Sequence, residues 1–478
     1  MQILFQTSTE ASCDGLGIIP CPVERFEDAD KAVPHIGWNA ADPLYSDIHS
    51  RSEYYYFVHS YCAKYNPSSY PEASKWVHST TQYGQEIFIS EVKKGNVFAT
   101  QYHPEKSGGV GLEVLQSWLH SSDSGGLKDV PVQLSSPPSL SPKTTHALTR
   151  RIIACMDVRA NDQGDLVVTK GDQYDVREKS EAVSTAGAVR NLGKPVSLAA
   201  QYYDAGADEL CLLNIASFRQ SPLQDQPMLA VVRAAAETVF VPLTIGGGIK
   251  DSVDPDGTKR TALEVAGVYF RAGADKVSIG SEAVYAVEKL LANNPGLDLT
   301  RKMEGKWKGD DSSAISSISR GYGAQAVVVS VDPRRVFVDK STYDGPYKDE
   351  IVEGKGSDAG KSWWYQCTVS GGRESRPLSV TQLARGVEFL GAGELLVNSI
   401  DRDGTGRGFD LDLLTLIKGA VRIPVVASSG AGSAEHFVEV FQQTGVEAAL
   451  AAGIFHRGEV KIADVKSQLR RHDISVRT

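Results

Sequence analysis

The sequence from Thr149 onward contains one series of strand and helix patterns that occurs twice. Each strand is a short, nearly continuous apolar run, which is typical of a parallel strand buried on both faces. The corresponding segments of the two halves are 205–210 and 390–395, 241–248 and 423–430, and 272–276 and 444–448. Four strand-helix units in each half make eight, so the repeat predicts an α/β fold: a (β/α)8 TIM barrel with half-barrel symmetry.

Two of the predicted strands carry a carboxylate at the end where a barrel enzyme places its chemistry. Arg151–Val158 is a nearly continuous apolar run that reaches Asp157, and Ala326–Val331 leads directly to Asp332. The carboxyl ends of barrel strands meet at one mouth, so we expect the two side chains to face each other as general acid and general base. A strand-end aspartate can instead cap a neighbouring helix, and that alternative stays open for either residue alone.

Glycine-rich turns follow equivalent strands in the two halves, 246–248 in one and 429–432 in the other. Glycine lets backbone N–H groups approach an anion at a helix N-terminus, although tight turn geometry alone explains many such turns. Recurrence in both halves favours two phosphate sites, and hence an elongated bisphosphate substrate. The candidate phosphate- and substrate-binding residues on these turns and the next strand ends are Gly247, Gly248, Gly280, Ser281, Gly430, Gly432, Ala452 and Gly453.

A polar loop after the sixth strand, 401–405, adds Asp403 and Gly404 to the candidate binding residues. The chain has no Gly-x-Gly-x-x-Gly turn after the first strand, so we expect no dinucleotide cofactor. No metal site is expected either, because the six cysteines include no Cys-x-x-Cys pair.

The opposite ends of four strands are charged. The residues that open the first, second, fourth and sixth strands are Arg151, Glu209, Lys276 and Glu394. Charges at the bottom of a barrel must pair, because an unpaired buried charge is very costly. The sequence leaves two interpretations open, a stabilising ring of salt bridges and a gate.

Length and composition place a second unit before the barrel. A barrel takes about 250 residues, and this chain has 478, so we expect a smaller domain over 1–120 and the barrel over 149–478. The segment 121–148 between them contains Ser-Ser-Pro-Pro-Ser-Leu-Ser-Pro and is interpreted as an extended linker. A net charge of −9 gives no reason to expect nucleic acid as a partner, and the absence of long apolar runs favours a soluble, cytoplasmic protein.

The first 120 residues mix short strands with turns, and 54–59 and 95–101 have the composition of strands. The second of these leads into His103, Pro104 and Glu105, and a helix is expected over 111–119. The proline stiffens the turn, so the Glu105 carboxylate can orient the His103 imidazole as a general base for a nucleophile. A lone histidine after a strand is otherwise a structural or surface residue.

This His-Pro-Glu turn resembles that of the class I glutamine amidotransferases. More narrowly, 34–39, 56–61 and the turn 103–108 resemble the glutaminase subunit of imidazole glycerol phosphate synthases. That family carries its nucleophile in Gly-x-Cys-x-Gly-(Met/Leu)-Gln-x-Leu-Phe, and Met1 falls after the second glycine of this pattern. The resemblance therefore implies a truncated glutaminase module with His103 and Glu105 but no nucleophilic cysteine, and little hydrolysis of glutamine is expected.

The segment from Thr149 to Arg477 resembles the cyclase module of the same family, and the two modules together resemble its fused fungal and plant form. The resemblance implies that ammonia, released from glutamine, passes through the barrel and reacts with phosphoribulosyl formimino-aminoimidazole carboxamide ribotide. The products would be imidazole glycerol phosphate, for histidine synthesis, and an aminoimidazole carboxamide ribotide. In this family the positions of Asp157 and Asp332 are the acid-base pair, Lys170 lies in a mobile loop over the substrate, and the four charges gate ammonia.

Two other functions remain open at this point. A sugar-phosphate isomerase of the same pathway shares the half-barrel symmetry and a carboxylate pair, although an attached glutaminase argues against it. The first module can also be a non-catalytic docking unit that covers the gate. We expect a monomer that acts on small molecules, with both modules in one chain.

Overall fold

The computed structural model describes residues 1–10, 13–44, 53–123, 148–160, 166–169, 195–215, 223, 227–299 and 312–477. Lys170 and most of the predicted linker lie outside the described residues. The chain divides into two compact units, one of Met1–Arg150 with Ser475–Arg477 and one of Arg151–Ile474.

The first unit contains two sheets. A five-stranded antiparallel sheet has the order Glu53–His59, His35–Pro43, Val77–Tyr83, Glu86–Lys94 and Val97–Thr100. A four-stranded sheet has the order Cys13–Asp14, Phe5–Ser8, Ile19–Arg25 and Tyr61–Cys62, and its two central strands are parallel. The helices are Pro71–Ser74 and Gly108–Asp123.

The predicted elements of this unit are present with shifted ends. The two β-rich segments form strands over Glu53–His59 and Val97–Thr100. The helix is longer than 111–119 and runs over Gly108–Asp123, so its last three residues extend into the segment that is predicted to be the linker. The sequence has no glycine or proline between Gly111 and Gly125, so no strong helix breaker stands between the predicted and the observed end of the helix.

The second unit is a closed barrel of eight parallel strands, numbered here β1 to β8. Each strand pairs in parallel with the next, and β1 pairs with β8 to close the sheet. The strands are β1 Arg151–Ala160, β2 Glu209–Asn214, β3 Leu243–Gly246, β4 Lys276–Ile279, β5 Val327–Val331, β6 Glu394–Asn398, β7 Val425–Ser428 and β8 Ala448–Ala451. The closed sheet confirms the predicted (β/α)8 barrel.

Helices connect successive strands of the barrel. Two of them begin with capping boxes, Thr261 with Glu264 and Ser379 with Gln382, in which each side chain binds the backbone N–H of the other residue. The helices are Pro195–Asp204, Pro227–Ala236, Ala262–Ala272, Ser281–Asn293, Ala314–Tyr322, Val380–Leu390, Leu411–Ala420, Ala434–Thr444, Gly453–His456 and Ile462–Arg471. None of the helices in the described part of the chain combines the length and apolarity needed to cross a bilayer.

The sequence repeat has a physical basis in how each helix ends. A glycine with positive φ follows equivalent helices of the two halves and turns the chain toward the next strand: Gly206 and Gly391 form one equivalent pair, and Gly273 and Gly445 form another. Asp275 and Glu447, which are equivalent in the repeat, also make the same contact. Each accepts a hydrogen bond from the first residue of the preceding strand, Leu243 N at 2.8 Å and Val425 N at 2.9 Å. The two halves therefore share the same helix-ending glycines and the same hydrogen bond from a strand backbone to a carboxylate.

Two features of the barrel differ from the sequence interpretation. Strand β1 does not end at Asp157 but continues to Ala160 and pairs antiparallel with Leu166–Thr169. Val158 still pairs with Asn214 of β2, and residues 159–160 continue the strand beyond this partner because they pair with Leu166–Thr169. In addition, β5 is followed by an antiparallel sheet of Pro333–Val338, Val352–Glu353, Ser362–Val369 and Glu374–Ser379. The segment 339–362 is polar or Gly-rich in sequence, which predicts a loop rather than part of a sheet.

This sheet has a small core of its own. Trp363 and Tyr365 are fully buried, and Tyr347, inside the predicted loop, is also buried. The aromatic run Trp363-Trp364-Tyr365 therefore marks a structural element beside the barrel. Its position after β5 places it next to the mouth.

Candidate active site

A cavity of about 700 Å³ opens at the carboxyl ends of the barrel strands. Its lining comes from the ends of β1, β2, β5, β6, β7 and β8 and from the antiparallel sheet. Apolar side chains of Cys155, Leu213, Leu396 and Leu450 form part of this lining. A pocket with an apolar floor and a few polar groups at the mouth is typical of a substrate site in this architecture.

Asp157 and Asp332 both line this cavity. The two strands therefore bring these carboxylates to one cavity, and their roles as general acid and general base stay a prediction. Asp332 directly follows β5, whereas Asp157 is within the extended β1, where it pairs with Thr169 of the antiparallel partner strand. Both side chains are partly buried.

Asp332 is held by hydrogen bonds from two neighbouring elements. The Asn398 side-chain amide, at the end of β6, donates to Asp332 Oδ1 at 2.8 Å and to Ser330 Oγ at 3.0 Å. Thr368 of the antiparallel sheet donates its hydroxyl to the Asp332 backbone carbonyl at 2.6 Å. These contacts fix the carboxylate in one orientation toward the cavity.

The pKa of Asp332 is raised above its ordinary value. Burial is the largest cause, the hydrogen bond from Asn398 works in the opposite direction, and the nearby charge of Asp403 raises the pKa further. A raised pKa keeps a carboxyl group protonated to higher pH, as a general acid requires.

In the second half of the barrel, the turn after β6 and the turn after β7 pack so closely that no side chain fits between them. Gly408 N donates to Gly430 O at 2.8 Å, and a Cβ on Gly430 would lie 2.3 Å from the Gly408 carbonyl oxygen. A Cβ on Gly432 would lie 2.2 Å from the Gly406 carbonyl oxygen. Only glycine fits at these two positions, and Gly430 also has a positive φ of 95°. The result is a cradle of bare backbone in the cavity wall.

The other candidates of the second half line the same cavity: Asp403, Gly404, Ala452 and Gly453. The candidates of the first half, Gly247, Gly248, Gly280 and Ser281, follow β3 and β4 but are not part of the lining formed by the described residues. Gly247 instead packs on the Asn214 backbone, where a Cβ would lie 2.1 Å from the carbonyl oxygen. The Ser281 hydroxyl accepts a hydrogen bond from Ser370 N at 2.9 Å.

Several lining residues escaped the sequence interpretation. Asn398 and Ser399 directly follow the apolar run of β6, and the criterion that found Asp157 and Asp332 could have found them. Ser370, Gly371 and Arg373 also line the cavity, but they belong to a turn of the antiparallel sheet, about which the barrel pattern says nothing. Within the described residues, no group of three or more His, Cys, Asp or Glu side chains is placed to hold a metal ion.

The four charges at the start of the strands form one buried ring. Arg151 Nη1 lies 2.7 Å from Glu209, Lys276 Nζ lies 2.6 Å from both Glu209 and Glu394, and Arg151 also pairs with Glu394. Burial alone would raise the pKa of Glu394, but the charges and hydrogen bonds of Arg151 and Lys276 lower this pKa to about 2. Thr244, at the start of β3, donates its hydroxyl to Glu209 at 2.6 Å and was not predicted from the sequence.

The His103 and Glu105 side chains of the first unit form the expected pair, with His103 Nδ1 2.9 Å from Glu105 Oε1. This contact requires a hydrogen on Nδ1, which leaves Nε2 as the basic nitrogen of a neutral imidazole. Ser107 holds the turn in place, since its hydroxyl donates to the His103 carbonyl at 2.6 Å and accepts from Tyr56 N at 3.0 Å. Burial is the largest single effect and raises the pKa of Glu105, but the hydrogen bond from His103, electrostatic attraction to His103 and Lys106 and a backbone hydrogen bond together lower the pKa below its ordinary value.

The fold and the site together define a class: a (β/α)8-barrel enzyme with two carboxylates beside a glycine cradle. Comparison with known proteins narrows this class. The profile of the family described as "Histidine biosynthesis protein" matches residues 151–294 and 296–461.

Some relatives match the chain over its full length, and others match the barrel part. It is 51% identical to imidazole glycerol phosphate synthase hisHF of Emericella nidulans, over the whole chain and 84% of the relative. It is 51% identical to the chloroplastic hisHF of Arabidopsis thaliana, over the whole chain and 76% of that protein. The imidazole glycerol phosphate synthase subunit HisF of Haloarcula marismortui is 37% identical and covers 69% of the chain. The chain belongs to the imidazole glycerol phosphate synthase family.

Proposed function

We propose that the barrel of this chain carries out the cyclase reaction of imidazole glycerol phosphate synthase in histidine biosynthesis. Ammonia would react with phosphoribulosyl formimino-aminoimidazole carboxamide ribotide to give imidazole glycerol phosphate, aminoimidazole carboxamide ribotide and one water. The observation that carries the proposal is the presence of Asp157 and Asp332 in one cavity with the glycine cradle of Gly430 and Gly432. An isomerase has no use for the glutaminase-like unit that precedes this barrel.

The two carboxylates have different proposed roles. Asp332, with its raised pKa, is the better general acid, and Asp157 is then the general base. Asn398 orients Asp332 through its hydrogen bond. The reaction needs both functions, because the general base must accept a proton that is lost on ring closure and the general acid must donate a proton to the leaving nitrogen when the carbon–nitrogen bond breaks.

The glycine cradle is proposed to bind one phosphate of the substrate. Gly430 and Gly453 present bare backbone to the cavity and Ala452 adds only a methyl group, so their N–H groups can donate to an anion. The Gly432 N–H donates instead to His436 Nδ1 at 3.0 Å, and Gly432 contributes to the cradle by the close approach of its backbone. Asp403 and Gly404 would contact the substrate next to this phosphate. The second phosphate is assigned to the turns of Gly247–Gly248 and Gly280–Ser281, and Lys170 to the loop over the substrate, by resemblance to the family.

The buried ring of Arg151, Glu209, Lys276 and Glu394 is proposed to gate the entry of ammonia into the barrel. Every charge in the ring is compensated by a partner within the ring. Closed pairing of this kind is stable, yet a small rotation of one side chain would open a passage. The same ring also stabilises the base of the barrel, so both interpretations from the sequence can hold together.

The first unit is proposed to be the glutaminase module, with His103 as base and Glu105 as the residue that orients it. The proposed division of the chain remains 1–120 for this module, 121–148 for the linker and 149–478 for the cyclase. We infer a monomer that acts on small molecules and carries both modules in one chain, as in the fused relatives. A cytoplasmic location remains a prediction, since one of these relatives is named as chloroplastic.

The test is turnover of the bisphosphate substrate by the full chain, with ammonium salt in one assay and glutamine in the other. We expect turnover with ammonium. No cysteine of the sequence stands in the Gly-x-Cys-x-Gly pattern, so we expect little turnover with glutamine. Absence of turnover in both assays would contradict the cyclase proposal, and equal turnover would contradict the expectation for the glutaminase module.

A further inference from the structure

The loop that follows β6, residues 399–410, carries two of the proposed substrate contacts, Asp403 and Gly404, and is called the β6 loop below. Its first residue starts a turn, since the Ser399 carbonyl accepts hydrogen bonds from Arg402 N at 3.2 Å and Asp403 N at 2.9 Å. The position of Asp403 in the cavity therefore depends on how Ser399 is held.

Ser399 is held by Asp410 at the other end of the loop. The Ser399 hydroxyl donates to Asp410 Oδ2 at 3.0 Å, and both residues are almost completely buried. Asp410 also caps the helix Leu411–Ala420 by accepting from Leu413 N at 3.4 Å. The carboxylate thus joins the start of the β6 loop to the helix that ends it.

Two side chains of the antiparallel sheet complete the shell of Asp410. Arg335 Nη2 donates to Asp410 Oδ2 at 3.0 Å, and the Tyr365 hydroxyl donates to Asp410 Oδ1 at 2.8 Å. The Arg335 guanidinium lies 4.1 Å from the centre of the Trp363 ring, and its Nη1 donates to Asp358 at 3.1 Å. A planar guanidinium stacked on an aromatic ring with two carboxylate partners has little freedom to move.

The strand Pro333–Val338, which carries Arg335, also holds the β6 loop through its backbone. Arg335 N donates to Asp401 Oδ2 at 2.8 Å, and the Pro333 carbonyl accepts from Ile400 N at 3.2 Å. The first residues of the loop are therefore bound to the sheet by the backbone, and the last by the Arg335 and Tyr365 side chains.

We propose that Arg335 and Tyr365 are positioning residues for the cyclase site: from the antiparallel sheet, they hold Asp410 and Ser399 and so place Asp403 and Gly404 against the substrate. This inference rests on the proposed function. It gives the sheet after β5 a role in the reaction in addition to its own packing. Neither residue lines the cavity formed by the described residues.

The test compares Arg335→Lys and Tyr365→Phe with the matched control Arg376→Lys. Arg376 lies on the same sheet, pairs with both oxygens of Glu288 at 2.9 and 2.7 Å, and stacks on Tyr285 at 5.4 Å, but none of these contacts reaches the β6 loop. KM and kcat for the bisphosphate are measured with ammonium, and deuterium uptake is measured for residues 399–410.

We expect Arg335→Lys and Tyr365→Phe to raise KM about tenfold while kcat changes less than about threefold, because each variant loses a hydrogen bond to a buried carboxylate that positions a binding loop. Deuterium uptake of the β6 loop should rise in both variants. Arg376→Lys should keep the wild-type KM and the wild-type uptake.

Unchanged KM and unchanged uptake in both variants would overturn the inference, and so would a fall in kcat with the same KM. A loss of thermal stability without faster uptake in the loop would indicate a purely structural role and would also overturn it. If the wild-type chain showed no turnover, the proposed function would fail, and uptake by the β6 loop would still decide whether Arg335 and Tyr365 hold it.

Discussion

Asn398 donates a hydrogen bond from its side-chain amide to Oδ1 of Asp332 over 2.8 Å. The two residues stand at the ends of adjacent strands, β6 and β5, so the barrel itself sets their distance. This contact partly offsets the effects of burial and of Asp403, which together raise the pKa of Asp332. The protonation of the proposed general acid is therefore controlled by two neighbours that act in opposite directions.

This balance predicts opposite shifts of the pH profile in two variants. Asn398→Ala removes the hydrogen bond that favours the charged carboxylate, so the pKa of Asp332 should rise and the limb of the kcat profile that it controls should move to higher pH. Asp403→Asn removes a negative charge, so the same limb should move to lower pH. Profiles of kcat measured with ammonium would check both, and shifts in the same direction would contradict the assignment.

Gly432→Ala is expected to damage the phosphate cradle. The new Cβ would lie 2.2 Å from the Gly406 carbonyl oxygen, so the turns after β6 and β7 must separate. We expect KM for the bisphosphate to rise at least about tenfold, in the range of a lost charge-assisted hydrogen bond. Gly419→Ala is the control, because its Cβ would meet nothing within 4 Å, and it should leave KM unchanged. Equal KM values in the two variants would count against the cradle.

Glu394→Gln is expected to destabilise the barrel by about 3–5 kcal/mol at neutral pH, because it leaves Arg151 and Lys276 with one buried partner fewer. The folded-state pKa of Glu394 is about 2, below its ordinary value of 4.5. The stability from this carboxylate is therefore present above pH 4.5 and is lost as the pH falls toward 2. Urea unfolding at several pH values would measure the free energy of unfolding of both proteins. The difference between wild type and variant should become smaller as the pH falls from 4.5 toward 2.

The control for this prediction is Glu353→Gln, which removes an exposed ion pair with Lys340. Exposed ion pairs contribute little to stability, so we expect no measurable change in the free energy of unfolding of this variant. A Glu394→Gln chain as stable as wild type at neutral pH would contradict the buried ring.

The first unit should lose stability in mild acid because of two buried histidines. His35 Nδ1 lies 3.2 Å from His59 Nε2, and His59 Nδ1 lies 2.8 Å from the Tyr61 carbonyl, so each imidazole is neutral with its hydrogen on Nδ1. Burial is the main cause that lowers the pKa of His59 from 6.5 to about 4. The unfolded chain binds a proton below pH 6.5 that the folded chain does not, so stability falls by up to about 3 kcal/mol between pH 6.5 and 4.

Urea unfolding of the first unit at pH 7 and pH 5 would check this prediction, if unfolding is followed by pulse labelling of peptides that cover Glu53–His59. His59→Gln cannot take up the proton and should show a weaker dependence on pH. An equal dependence in both proteins would mean that other groups control the acid sensitivity.

The barrel could be predicted from the sequence because its signals are local. Buried strands are short apolar runs, and the glycines at 206, 273, 391 and 445 mark helix ends that recur in both halves. Asp157 and Asp332 were predicted because each breaks an apolar run at the carboxyl side. The parallel barrel then brings them together without any further information.

The remaining contacts depend on chain segments that are distant in sequence. Nothing in the neighbourhood of Arg335 or Tyr365 indicates that they meet Asp410, which lies 75 and 45 positions away. The pairing of the antiparallel sheet likewise joins Pro333–Val338 to Ser362–Val369 across an irregular segment. The extension of β1 beyond Asp157 was missed because the alternating residues 158–160 do not continue the apolar run.

The most direct test of this account is the turnover of the bisphosphate substrate with ammonium by wild type, Asp157→Asn and Asp332→Asn. The account predicts turnover by wild type and a loss of about 10²–10⁴ in kcat for each variant, with normal folding by circular dichroism, because general acid–base groups contribute this much. The control is Asp464→Asn, which changes an exposed carboxylate on the last helix and should keep the wild-type kcat. Wild-type kcat in either cavity variant would contradict the proposal that Asp157 and Asp332 form the acid-base pair.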